Sequence, residues 1–258
     1  AAVQRGLAED GGLYMPSRYP QLSGTALEAL EGRSFSHLAA AVLGPLLSGA
    51  LDEDTLSSLT SAALDFPLPL EPLSGDVFIL ELFHGPTLAF KDVGARFLAR
   101  LLSSYREPTD PVTTILTATS GDTGGAVAQA FHGLSGMRVV VLFPDGKVTP
   151  RQERQFSTLG GNVLAVAVQG DFDDCQRLAK EAFLEDMRMR ESGNSQRPIL
   201  TSANSINIGR FLPQITYFFK LWADLNAQKN GKDRDRTKIL VSVPSGNFGN
   251  LAAGLVAK

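Results

Sequence analysis

From residue 77 onward, short apolar or β-branched runs alternate with longer segments of helical periodicity, and this alternation leaves few folds open. The predicted strands cover residues 77–83, 112–117, 138–143, 162–168, 198–201 and 238–243. The predicted helices between them cover residues 90–104, 123–134, 150–159, 172–190 and 205–226. Strands joined through helices pair in parallel, and the helices cover both faces of the sheet. The sequence therefore predicts an α/β protein built on a largely parallel sheet.

Composition narrows the class of protein. Of the 258 residues, 43% are hydrophobic and 20% are charged, which excludes a disordered tail protein. The net charge of −3 argues against nucleic-acid binding, which requires a basic surface. A single cysteine, Cys175, excludes an intrachain disulfide and favours a reducing compartment, so we expect a cytoplasmic or mitochondrial protein. The uncharged run 34–51 contains Gly44 and Pro45, which favours a soluble buried helix over a membrane span. With His37, His84 and His132 as the only histidines, no zinc site is expected.

Three loops that follow predicted strands combine small residues with Ser, Thr or Asn at a helix N-terminus. They cover residues 118–125, 202–210 and 244–250. Free backbone N–H groups and the helix dipole make such positions natural anion sites, and glycine allows close approach of an oxyanion. Taken singly, each loop also fits an ordinary capped turn, but three in one sheet favour an anionic ligand. None of them matches a Walker or dinucleotide motif.

A lysine in an unusual setting is the fourth candidate. Lys91 follows a turn and the apolar pair Ala89 and Phe90, and it opens a predicted helix. The positive end of the helix dipole opposes an ammonium group, and this favours a neutral, nucleophilic amine. The alternative is an exposed lysine paired with Asp92. Together with the phosphate-ready loops, Lys91 indicates a phosphate-bearing aldehyde cofactor held as a Schiff base.

Five internal segments resemble the threonine synthase family, which belongs to the fold-type II pyridoxal-phosphate enzymes. These are GPTLAFKD at 85–92, TATSGDTG at 117–124, LGGN at 159–162, NSIN at 204–207 and PSGNFGN at 244–250, and the opening residues 6–16 are similar too. Within the family, the vertebrate threonine synthase-like proteins are the expected nearest group. The resemblance implies a helical N-terminal segment at 1–75, a small α/β domain at 91–201 and a partial large cofactor domain at 76–90 and 202–258.

The same resemblance assigns roles to individual residues. Lys91 would bind pyridoxal 5'-phosphate covalently. Backbone donors would hold the cofactor phosphate, and they belong to Gly246, Asn247, Phe248, Gly249 and Asn250. The cofactor ring and the substrate carboxylate would lie beside Ser120, Asp122 and Thr123. The substrate phosphate would be received by Asn204, Ser205, Asn207 and Arg210, assisted by Lys147. Lys147 and Gln152 have an alternative interpretation as surface groups.

The implied activity is that of a pyridoxal-phosphate-dependent lyase. Its substrate would be O-phosphohomoserine, a small phosphorylated amino acid, which would lose its γ-phosphate. The products would be 2-oxobutyrate and ammonia, or threonine if water adds at Cβ. A homodimer is possible, and neither nucleic acid nor membrane is an expected partner. Because family members continue well beyond residue 250, the chain is expected to be truncated at both ends. The alternative is a non-catalytic short form, acting as a binding protein or a secreted, cytokine-like signal, with weak or absent turnover.

Overall fold

A computed structural model of the protein describes residues 2–6, 8, 10, 12–191, 198–228 and 238–258. The helices are α1 Ala2–Arg5, α2 Gly24–Glu28, α3 Phe35–Leu47, α4 Glu53–Ala63, α5 Lys91–Ser104, α6 Asp122–Phe131, α7 Pro150–Ser157, α8 Phe172–Glu191, α9 Ile208–Ala227 and α10 Gly249–Ala257. The strands are β1 Leu70–Ser74, β2 Val77–Leu80, β3 Thr113–Ala118, β4 Met137–Pro144, β5 Val163–Val168 and β6 Ile199–Ser202.

The chain divides into two compact units. The first joins Ala1–Tyr14 to Pro86–Arg210, and the second joins Met15–Gly85 to Phe211–Lys258. Each unit is therefore built from segments that are distant in sequence. The division into domains at residues 75, 90 and 201 stays a prediction.

The first unit is organised around a four-stranded sheet in the order β5-β4-β3-β6. All three strand pairs are parallel, and Ile115 of β3 aligns with Val139 of β4 and Thr201 of β6. Each strand is followed by a helix, which provides the crossover that parallel strands need. The predicted α/β class, with a parallel sheet flanked by helices, is confirmed.

Both faces of this sheet are covered, because successive side chains of a strand point to opposite sides. One face packs against α5, α6 and α7 in a core that includes Phe131, Val139 and Phe156. The other face packs against α8, where Cys175 lies on the side chains of Leu116 and Ala118. Burying a large apolar side chain contributes about 1.5–3 kcal/mol, so the core of the first unit is its main source of stability. Cys175 is thus a buried, free cysteine within this core.

Asn162 directly precedes β5 and binds backbone groups at the end of the sheet where β4 and β5 begin. Its Nδ2 donates to the carbonyls of Phe131 and Met137 at 2.9 and 3.1 Å, and its Oδ1 accepts from the Gly133 amide at 2.8 Å. Gly160 has a φ of +65°, a left-handed conformation that glycine adopts at little cost. One side chain therefore satisfies three backbone groups where α6, β4 and β5 meet.

The second unit contains a helical part and a hairpin. Leu38 and Leu43 of α3 and Leu56 of α4 are buried in its core. Asp52 caps α4, since its carboxylate accepts from the Thr55 amide at 2.7 Å. Ser34 precedes α3, but its hydroxyl lies 2.7 Å from His37 Nδ1 and makes no backbone cap.

Two predicted strands differ from the structure. The segment predicted at 77–83 forms the shorter β2, which pairs antiparallel with β1 in a separate two-stranded sheet. The segment predicted at 238–243 has no strand partner among the described residues. A strand exists only where another strand lies beside it, and an apolar run in the sequence does not identify that partner.

The length and apolar character of the helices bear on whether one of them could span a membrane. In the part of the chain that the structure describes, no helix has the length and apolar character that a membrane span requires.

Candidate active site

Lys91 opens α5 in the first unit, and its amine faces the next strand-to-helix loop. Its Nζ lies 3.3 Å from Asp122 Oδ2 and 4.5 Å from the centre of the Phe90 ring. The Lys91 side chain is 25% exposed, so the amine can be reached by a small molecule. The alternative in which Lys91 pairs with Asp92 is wrong, because Asp92 points into the protein and binds Thr87.

The turn that presents Lys91 is held by this buried carboxylate. Asp92 accepts from the Thr87 amide at 2.9 Å and from the Thr87 hydroxyl at 2.7 Å. Between them, Leu88 has a φ of +59°, a strained conformation for a residue other than glycine. Burial raises the pKa of Asp92, although the hydrogen bonds from Thr87 oppose the shift. The Lys91 position is thus fixed by its own chain neighbours before any ligand binds.

The second part of the site is the loop between β3 and α6. Thr119 is buried, and its Oγ1 accepts from the amides of Gly121 and Gly124 at 3.0 and 2.8 Å. The same hydroxyl donates to the Gly121 carbonyl at 2.9 Å. These bonds fold the loop so that Asp122, the first residue of α6, reaches Lys91. Ser120 is exposed at the tip of this loop.

Asp122 is held as a carboxylate by two side-chain donors. Burial raises its pKa, but the hydrogen bond from Gln152 and the charge of Lys91 outweigh burial and lower the pKa below its ordinary value. Gln152 Nε2 donates to Asp122 Oδ1 at 2.7 Å. Thr123 follows in α6 and is half-buried, so the three residues predicted beside the cofactor ring share one helix N-terminus.

Helix α7 supports both loops through glutamines one helical turn apart. Gln152 binds Asp122, and Gln155 Nε2 donates to the Thr87 carbonyl at 3.2 Å. The interpretation of Gln152 as a surface group is not supported by this placement. Lys147 lies exposed in the turn before α7.

The 202–210 loop is also in the first unit, and the two asparagines predicted there bind protein groups. Asn204 Oδ1 accepts from the Thr117 hydroxyl and the Ala118 amide, and its Nδ2 donates to the Ala118 carbonyl at 2.9 Å. Buried Asn207 donates to the carbonyls of Val3 and Ser202 at 2.9 Å each. Asn204 therefore joins β3 to the loop after β6, and Asn207 joins α1 to the same loop.

The remaining residues of this loop differ in exposure. Arg210 is buried and donates to the Ala203 carbonyl, whereas Ser205 is exposed. Of the four residues predicted here as phosphate ligands, Ser205 is the one whose side chain is open to a ligand. Their assignment to the substrate phosphate stays a prediction.

The 244–250 loop belongs to the second unit and leads into α10. Gly246 has no atom within 4 Å of the position a Cβ would take, and Phe248 is 67% exposed. Asn250 Oδ1 accepts from the hydroxyl of buried Tyr217 at 2.7 Å, which ties the start of α10 to α9. The loop thus offers an open backbone at a helix N-terminus, the arrangement that suits a phosphate. Asn247 and Gly249 lie within this open stretch.

Sequence reasoning missed three of the residues that hold the site in place, which are Thr87, Thr119 and Gln155. It named Asp92 and Gln152 but not the contacts that they make. One signal was available: Thr149 and Gln152 match the T-x-x-Q capping box at a helix start. Among the described residues, no group of three His, Cys, Asp or Glu side chains could hold a metal ion.

The comparison with known families agrees with this arrangement. Residues 63–257 match the family model described as pyridoxal-phosphate dependent enzyme, which is more than half of the chain. The chain therefore belongs to the pyridoxal-phosphate dependent enzymes, and the cofactor of this family is the one predicted from the sequence. Residues 1–64 match a second model, described as the threonine synthase N terminus.

Individual relatives give the same result. The chain is 48% identical to threonine synthase of Haemophilus influenzae and 46% identical to that of Escherichia coli, in each case over 100% of this chain and 57% of the relative. The crystal structure of the Escherichia coli enzyme matches 99% of this chain and 56% of its own, with a TM-score of 0.87. Pyridoxal-phosphate-bound threonine synthase from Brucella melitensis matches at 39% identity and a TM-score of 0.83, over 99% of this chain and 54% of its own.

The predicted resemblance to threonine synthases is thus confirmed, and the chain spans 57% of the length of the curated relatives named above. The special likeness to vertebrate proteins stays a prediction. The residues present fit the cofactor. A reachable lysine amine suits its aldehyde, and the open backbone of the 244–250 loop suits its phosphate.

Proposed function

We propose that this chain binds pyridoxal 5'-phosphate through Lys91 and acts as a phospho-lyase of threonine synthase type on O-phosphohomoserine. The observation that carries the proposal is the reachable Lys91 amine, which lies 3.3 Å from Asp122 in a loop with hydroxyl donors. The names of the relatives support the reaction class. The matched length of 57% makes the whole activity a proposal for this chain.

Lys91, Asp122 and Ser120 would have different roles in the proposed reaction. When bound, the cofactor withdraws electrons from Cα of the amino acid, which makes the Cα proton removable. Lys91 would hold the cofactor, and its amine would accept the Cα proton at Nζ. Asp122 keeps the Lys91 side chain in place and balances its positive charge. Ser120 and the amides at the start of α6 are suited to bind the substrate carboxylate.

The two phosphates would be bound by different loops. The open backbone at 246–250 would hold the cofactor phosphate, because helix N-terminal amides bind anions without a charged side chain. The substrate phosphate needs a group that is not already bound, and exposed Ser205 and Lys147 meet that requirement best among the predicted residues. Arg210 would add its charge from a buried position. Loss of a Cβ proton together with the γ-phosphate would then give 2-oxobutyrate and ammonia after tautomerisation and hydrolysis by water, or threonine if water adds at Cβ.

Borohydride trapping tests the cofactor assignment directly. The chain is incubated with pyridoxal 5'-phosphate, reduced with borohydride, digested and mapped by mass spectrometry. We expect the reduced adduct on Lys91 and its loss in Lys91→Ala, while Lys180→Ala, an exposed position on α8, retains it. An adduct spread over surface lysines, with Lys91 unmodified, would refute the assignment.

Product analysis then separates the reactions. The loaded chain is incubated with O-phosphohomoserine, and threonine, 2-oxobutyrate and phosphate are measured in the same sample. Equal threonine and phosphate indicate the synthase outcome, and equal 2-oxobutyrate and phosphate indicate the lyase outcome. Trapping at Lys91 without phosphate release supports the non-catalytic alternative for this chain.

A further inference from the structure

The start of α7 departs from the usual capping arrangement. Thr149 is the N-cap, and its hydroxyl accepts from the Gln152 amide at 3.3 Å, as in a capping box. In that motif the side chain at the position of Gln152 turns back to the amide of the N-cap residue. Here Gln152 Oε1 accepts from the Thr149 hydroxyl at 2.8 Å, and Nε2 extends away from the cap to Asp122. The glutamine amide is thus used to bind a residue of the candidate site.

The direction of each bond in this chain is fixed by chemistry. An ionised carboxylate can only accept, so Gln152 must turn its Nε2 toward Asp122. Its Oε1 then faces Thr149, whose hydroxyl donates. Asp122 Oδ1 is occupied by Gln152, which leaves Oδ2 for Lys91 at 3.3 Å. Thr149, Gln152, Asp122 and Lys91 therefore form one continuous chain of hydrogen bonds.

The backbone leaves room for this chain at one position. A Cβ on Gly121 would lie 2.5 Å from Gln152 Nε2 and 2.7 Å from its Cδ. Gly121 also has a φ of +152°, which side chains rarely adopt. The glycine of the loop thus serves the Gln152–Asp122 contact as well as the turn itself.

We propose that Gln152 is a positioning residue for Lys91: through Asp122 it holds the amine where the cofactor aldehyde must meet it. This inference rests on the proposed function, since it assigns Lys91 to the cofactor. Lys91 is the charged group that acts on Asp122, so a loss of the Gln152 bond leaves Asp122 with one fewer donor and a less fixed orientation. The proposal adds a residue from α7 to a site otherwise built by α5 and the 118–125 loop.

Two variants of Gln152 test the proposal. Gln152→Met keeps the approximate length and removes the donor. Gln152→Glu keeps the acceptor for the Thr149 hydroxyl and can donate to Asp122 only while the introduced carboxyl is protonated. Since two adjacent carboxylates share a proton until the pH is raised, this variant switches from donor to repelling neighbour above about pH 5. Ser157→Ala, an exposed position at the end of α7, is the matched control.

The first readout is the cofactor dissociation constant together with the amount of borohydride-trapped Lys91, measured from pH 5 to 8. A hydrogen bond to a charged group supports a loss of about tenfold in affinity for Gln152→Met at every pH. Gln152→Glu should match that loss at pH 8 and recover toward the unmodified chain at pH 5. The decisive quantity is the cofactor dissociation constant of Gln152→Glu divided by that of the unmodified chain. If this ratio does not change with pH, the proposal is overturned, even if Gln152→Met folds poorly.

The second readout needs no cofactor. Acetic anhydride labelling of the cofactor-free chain is followed by mass spectrometry, with exposed Lys180 as the internal standard. Release of Lys91 from Asp122 should raise its relative labelling by about threefold in Gln152→Met and leave it unchanged in Ser157→Ala. Equal labelling in all three proteins contradicts the inference. Failure of the parent chain to form the Lys91 adduct would instead contradict the proposed function, so the two failures are distinguishable.

Discussion

Removing the Thr119 hydroxyl should unfold the loop that carries Asp122. Thr119→Val keeps the shape of the side chain, which is 1% exposed, and deletes one donor and one acceptor. The Gly121 amide loses its partner at 3.0 Å, whereas the Gly121 carbonyl loses the hydroxyl donor at 2.9 Å but keeps the bond of 3.1 Å from the Gly124 amide. Each buried group left without a partner costs about 1–3 kcal/mol. Some of this is recovered by water at the exposed loop tip, so with one such group we expect a loss of about 2 kcal/mol in the free energy of unfolding.

Urea denaturation measures this loss, and Thr119→Ser is the matched control. The serine variant keeps the hydroxyl and removes a methyl group, so it should lose about 1 kcal/mol. Hydrogen exchange of the peptide that spans residues 119–126 provides the local readout. It should accelerate in Thr119→Val and stay near the parent rate in Thr119→Ser. If the serine variant is as unstable as the valine variant, then packing of the methyl group holds the loop and the hydrogen-bond argument is refuted.

Three further changes have defined outcomes. Asp92→Asn removes a carboxyl group whose pKa is raised in the folded state. The contribution of this group to the free energy of unfolding is therefore full below the ordinary pKa of an aspartate, and it is lost as the pH rises through the pKa of Asp92 in the folded chain. Urea titrations between pH 4 and 7 should therefore show the parent chain gaining stability relative to this variant toward pH 4, and parallel curves would contradict the assignment. Gly121→Ala should cost about 2–3 kcal/mol by thermal or urea unfolding, through backbone strain and the clash with Gln152, whereas Gly44→Ala in α3 should cost nothing. Asn162→Ala should cost about 2 kcal/mol, since the Gly133 amide loses its acceptor and the carbonyls of Phe131 and Met137 each lose a donor, and an unchanged urea midpoint would argue that water replaces the amide.

The fold of the first unit follows from local sequence to a large extent. The runs that form β4 and β5 are almost continuously apolar, which is typical of parallel strands in a sheet covered by helices on both faces. The bounds of β3, β4 and β5 differ from prediction by at most one residue. The hairpin strands are shorter; β1 is exposed at every residue after Leu70, and β2 is exposed on alternate residues. Their pairing depends on which segment lies alongside, and this is a property of the tertiary structure.

The site was predictable in its reactive residue and its loops, but its contacts were not. Lys91 and Asp122 are 31 positions apart in the sequence. The residues near Lys91 do not indicate that its amine pairs with Asp122 rather than with the adjacent Asp92. The choice follows from Thr87, whose amide and hydroxyl engage both oxygens of Asp92. For Asn204 and Asn207 the sequence context suggested phosphate binding. In the structure, their side-chain amides instead donate to backbone carbonyls.

The bond between Asn207 and Val3 has a consequence for synthesis of the chain. Donor and acceptor are separated by 204 residues. At about 5–20 residues per second, a ribosome needs roughly 10–40 s to make the intervening chain. During that interval the Val3 carbonyl lacks this donor, although the core residues of α5 against which Val3 packs are already made. Completion of this part of the first unit in the cell is therefore timed by translation, because the bond that joins α1 to the loop after β6 forms only when residues some 200 codons later have been made.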